Sequence, residues 1–85
     1  MNYPGYEAAS ANGYELLLTH SDEIGIQSAT YTKDQLSLRV DKNGKATLFA
    51  LVGIIKVSVE DFSFPNKNFA NFESAIIGRL PSDQK

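Results

Sequence analysis

The segment DKNGKATLFALVGIIKVSVEDF, residues 41–62, constrains the fold more than any other part of the chain. It opens with Asn43-Gly44, a pair that adopts positive φ at low cost and signals a two-residue hairpin. Residues 48–55 then hold no polar side chain, so a strand there is apolar on both faces and needs cover on both sides. A chain of 85 residues builds one domain around one core, so cover is scarce.

A hairpin closed by Asn43-Gly44 pairs Lys42 with Lys45. Val40 then faces Thr47, Leu38 faces Phe49 and Leu36 faces Leu51, which puts the large apolar residues on one face. The odd-numbered set continues through Gly53, Ile55, Val57 and Val59. A straight strand over 46–60 would measure about 50 Å, too long for this domain. Gly53 is therefore the expected bend, where the strand changes partners. The even set turns polar at Lys56, Ser58 and Glu60, so the second half is the more peripheral.

Upstream, residues 1–13 contain Pro4, Gly5 and Asn12-Gly13 and read as an irregular arm pinned by Tyr3 and Tyr6. Strands follow at 14–20, 24–31 and 35–41, the last alternating with Leu36, Leu38 and Val40 on one face. Downstream, Phe69, Phe72, Ile76 and Leu80 recur at helical spacing. A helix over 66–80 is expected, capped by Asn66 or Asn68, with Gly78 near its end and Pro81 stopping it. Alternation of Ala70, Phe72, Ser74 and Ile76 leaves a strand over 68–77 as the other reading. Residues 81–85 form a loose tail. The expected fold is α+β: a four-stranded antiparallel β-meander over 14–62, strongly bent or partly barrel-like, with one C-terminal helix packed on it.

Charge is unevenly spread. Residues 1–32 carry Glu7, Glu15, Asp22 and Glu23 and no lysine or arginine, whereas the remainder is net positive within a total of −2. The bases are scattered among acids and make no concentrated basic face, which argues against nucleic acid. No apolar run approaches the roughly 20 residues of a membrane span. The N-terminus lacks the pattern of a secretory leader, and a cytoplasmic location is expected. Cysteine is absent, which excludes disulfides and thiolate chemistry.

A series of short, degenerate elements runs in order along the chain: HSDEI at 20–24, ATY at 29–31, LSLRV at 36–40, GII at 53–55, DF at 61–62, and Asn66 or Asn68. Over residues 20–70 this order resembles a group of small bacterial β-sheet proteins, some associated with immunity against polymorphic toxins. The resemblance implies a sheet protein that binds another protein, and it implies no activity. Two departures stand out: Ser21 separates His20 from Asp22, and helical spacing follows Asn68 where the group's pattern implies a strand.

His20, Ser21, Asp22 and Glu23 hold the residue types of a hydrolytic site. Consecutive residues at a turn diverge into solvent, however, and Ser and Asp suit turns through bonds to nearby backbone. One histidine beside two adjacent carboxylates also makes no closed metal site. Asp41, Asn43 and Gly44 echo a calcium loop but lack its distal glutamate. Phe62, Phe64, Phe69 and Phe72 read first as core, and second as a stacking platform whose neighbours Glu60, Asp61 and Glu73 repel phosphate. The expectation is a non-catalytic protein-protein interaction module of immunity or regulatory type. It takes no cofactor or metal, and its partner is another protein or a second copy, a homodimer foremost. The expected contact residues are His20, Asp22, Glu23, Phe62 and Phe64. The alternative is a small barrel that binds a small ligand or single-stranded nucleic acid, with the phenylalanines at its mouth.

Overall fold

The computed structural model describes residues 3–52, 55–58, 60–64 and 69–78. The elements run α1 (Tyr6–Ala11), β1 (Glu15–Ser21), β2 (Ile26–Lys33), β3 (Leu36–Asp41), β4 (Lys45–Val52), β5 (Ile55–Ser58), β6 (Phe62–Ser63) and α2 (Phe69–Gly78). The fold is α+β, as expected: an antiparallel sheet with a C-terminal helix. The strands lie in the order β1-β2-β3-β4-β5, and β6 also pairs with β4. The sheet stays open and does not close into a barrel.

The β3–β4 hairpin differs from the expected one by a single residue. Leu38 pairs with Leu48 and Val40 with Ala46, which sets Asp41 opposite Lys45 around a three-residue loop. Only Gly44 in that loop has positive φ, at 88°. Both the Asn43 and Lys45 amides donate to Asp41 Oδ1, at 2.9 and 3.0 Å, and the Gly44 amide donates to the Asp41 carbonyl at 3.0 Å. This is a turn closed by a left-handed glycine, the other common hairpin solution. A slip of one residue exchanges the faces of a whole strand. The buried side of β4 is therefore Ala46, Leu48 and Ala50, while Thr47 and Phe49 lie on the other side, half-buried.

The run after β4 also resolves differently from a bent strand. Gly53 lies outside the described residues, but Val52 and Ile55 face each other in an antiparallel pair, so the chain reverses between them. Reversal meets the length limit more cheaply than a bend, because β5 pairs back on β4. β6 then pairs with Lys45 and Ala46, so β5 and β6 divide the outer edge of β4 between them. The expected four strands become six.

Residues 6–11 form a short helix in place of an irregular arm. Tyr3 and Tyr6 pack against the core as anticipated, in edge contact at 6.2 Å. Tyr31 Oη donates to the Pro4 carbonyl, fixing the approach to α1. On the other flank, α2 settles the helix-or-strand alternative for 69–78, with Phe69 and Ile76 buried. The expected caps Asn66 and Asn68, together with Leu80, Pro81 and the tail 81–85, lie outside the described residues.

Both helices cover the same face. Ala29, Tyr31, Leu36, Leu38, Val40, Ala46, Leu48 and Ala50 share one side of the sheet by register, and they form one core with Ala9 of α1 and with Phe69 and Ile76 of α2. A clasp ties α2 to the sheet: Tyr14 Oη donates to Glu73 Oε2 at 2.5 Å, and Lys33 Nζ meets the same oxygen at 2.9 Å. Lys33 also sits 4.8 Å above the Tyr14 ring and donates to the Asn12 carbonyl.

Candidate interaction surface at the β1 edge

β1 lies at one edge of the sheet, with a row of backbone groups that no strand among the described residues pairs. Its sequence, ELLLTHS, carries neither proline nor lysine. Instead its pairing with β2 shifts between Leu16 and Leu18: Leu16 faces Tyr31, Leu18 faces Thr30, and Leu17 is the extra residue of a bulge. In a regular strand, alternate leucines would turn into the core. Here all three are exposed, to 36%, 58% and 45% for Leu16, Leu17 and Leu18. Ile24, on the turn that follows, is 84% exposed. Four large apolar residues on one edge and its adjoining turn form the main apolar exposure among the described residues, with Ile77 of α2 standing apart.

The expected contact residues divide into two groups. His20 is exposed on β1, and Asp22 and Glu23 are exposed on the turn after it, so this group flanks the leucines. Asp22 also has a structural task. Its Oδ1 accepts from the Ile24 amide at 2.8 Å, the Gly25 amide at 3.2 Å and Gln27 Nε2 at 3.0 Å. These bonds, the Ile24 amide foremost, hold its carboxyl below the ordinary range. Phe62 and Phe64 require correction. Both are buried: Phe62 stacks on Phe72 at 4.6 Å, and Phe64 meets the Phe69 edge at 4.7 Å. They bind α2 to the sheet and offer no ring to a partner or to a nucleic acid base.

On the face opposite the helices, His20 lies opposite Ser28 and Ser28 opposite Asp41, a row invisible from sequence distance. The Ser28 hydroxyl is buried and has no hydrogen-bond partner. Activation of a serine requires a histidine between hydroxyl and carboxylate. Here the serine occupies the middle and is bonded to neither neighbour. Along the same face, Arg39, Asp41, Lys45, Thr47 and Asp61 line an open cleft of about 210 Å³. Thr47 Oγ1 donates to Asp61 Oδ1 at 2.5 Å there. Its charges balance, and Asp41 is committed to the hairpin loop. Among the described residues no cluster of histidine and carboxylates suits a metal ion, and no helix is long and apolar enough to cross a membrane.

YELLLTH predicts a strand and nothing more, so the sequence points to the acids and His20 as candidates but not to the leucines exposed beside them. The signal was present: three successive leucines cannot all face one core from one strand. The chain matches no protein-family model, no curated protein and no solved structure.

Proposed function

We propose that this chain is a non-catalytic protein-interaction module of immunity or regulatory type, and that it meets its partner along the β1 edge. One observation carries the reading: Leu16, Leu17 and Leu18 stand exposed together on an edge strand. Exposed apolar side chains beside unpaired backbone donors and acceptors are the two ingredients of strand-on-edge recognition. Glu15, Asp22 and Glu23 border the strand at its two ends, where rim charges govern encounter and partner choice more than affinity. The test uses the whole chain as bait beside its Leu17→Lys/Leu18→Lys variant, with molar mass measured for both. The expected result is capture or self-association by the parent that the variant loses while keeping its circular dichroism. A parent that neither captures a protein nor self-associates, or a variant that behaves as the parent does, refutes the reading.

A further inference from the structure

The β1 edge is self-complementary once its bulge is taken into account. Through their pairing with β2, Glu15, Leu18 and His20 face the same side of the sheet as Thr32, Thr30 and Ser28, whereas Leu16 and Thr19 face the core side with Tyr31 and Ala29. A two-fold axis perpendicular to a sheet keeps every side chain on its own face, so directly opposed residues must share a face. Without the bulge, Glu15 and His20 would lie on opposite faces and could never be opposed. The extra residue Leu17 brings them onto the same face. With the axis at Leu18, antiparallel pairing of two copies sets Leu18 against Leu18, Leu16 against Thr19, and Glu15 against His20. The carboxylate–imidazole match then occurs twice, once on each side of the axis. A parallel alignment would instead set Glu15 beside Glu15.

We propose that β1 pairs antiparallel with β1 of a second copy across a two-fold axis at Leu18, with each Glu15 carboxylate opposite the second copy's His20. This rests on the edge-recognition reading and names its occupant. The two sheets become one, Leu17 of each copy lies beside Thr19 of the other, and the two Leu18 side chains meet across the axis. The bulge that exposes the leucines is the same feature that sets Glu15 opposite the second copy's His20.

The absence of cysteine makes the test direct. Leu18→Cys should form an intermolecular disulfide under mild oxidation, because opposed residues on paired strands have Cβ atoms about 5 Å apart. Ile77→Cys, exposed on α2, should not. The parent should show twice the 9.3 kDa mass of one chain. His20→Glu sets carboxylate against carboxylate at two places and should weaken the dimer by about tenfold. Glu15→Lys joined to His20→Glu should restore it. A parent that stays monomeric into the millimolar range overturns the self-pairing, as does a dimer that Leu18→Cys fails to cross-link or that His20→Glu leaves unchanged. A monomer still leaves the edge-recognition reading to its own bait experiment, so the two can fail separately.

Discussion

At Gly5 two demands fall on one residue. Its φ is 72°, a left-handed value, and a Cβ built there would lie 3.1 Å from both Val40 methyl carbons. Val40 is itself fully packed, so it has little room to give. Gly5→Ala should therefore cost about 1–3 kcal/mol, from backbone strain and displaced packing together. Urea denaturation of the variant measures it, and an unchanged midpoint would mean that α1 does not sit over β3. The sequence showed Pro4-Gly5 as punctuation but not the helix beyond it. Six residues cannot sustain a helix alone, and YEAASA is held by the burial of Ala9 and the anchoring of Tyr6, which are tertiary contacts. Phe62 and Phe64 show the opposite case. Their core role was the first reading from sequence, and the structure leaves them no other.

Among the elements, the β3–β4 hairpin shows where sequence reasoning succeeded and where it slipped. That a turn lies at Asp41–Lys45 was legible from Asn43-Gly44. Its type lies in Asp41 rather than Asn43, because Asp at the first position of a turn and Gly at the fourth favour the three-residue form. Periodicity gave no warning, because a strand apolar on both faces buries something in either register. The structure gives the loop's bonding to Asp41 and leaves the Asn43 side chain without a hydrogen bond among the described residues. Asp41→Ala should cost about 1–2 kcal/mol, whereas Asn43→Ala should cost only a few tenths. Thermal unfolding of both variants checks the ranking, and the reverse order would restore the two-residue turn. For α2 the spacing of Phe69, Phe72 and Ile76 sufficed, since one face of a helix meets one face of a sheet. Of the β1 edge and its turn, His20 and the acids were legible as exposed polar residues. The bulge was not, since it depends on β2.

For the whole molecule, the notable asymmetry is that both helices cover one side of the sheet. The sequence suggested that β4 lacked shelter on its second face. The observed register leaves Thr47 and Phe49 there, half-buried, and among the described residues the main exposed apolar cluster stands at β1. The covered side also sets an alkaline limit. Burial, with the Glu73 hydrogen bond and charge, raises the Tyr14 phenol far above its ordinary 10.0, and burial with Tyr6 nearby pushes Tyr31 up to about 12. A raised folded-state pKa contributes stability that is complete below the unfolded value and lost as pH climbs toward the folded one. Stability should therefore hold to near pH 10 and fall above it, through about pH 12 for Tyr31 and beyond for Tyr14. Denaturation midpoints across that range measure the slope, and Tyr14→Phe should flatten it; a slope indifferent to Tyr14 would assign the loss to other groups. The far rim of the sheet, in contrast to β1, is blunted, because β5 and β6 are only four and two residues long. A strand joined to its own twin by a dyad has spent its single sticky margin, and stubby opposite borders recruit nothing further. Assembly would then terminate at a pair, and the same greasy margin that would seed fibrils in a sheet with two such borders would instead yield a closed, countable particle.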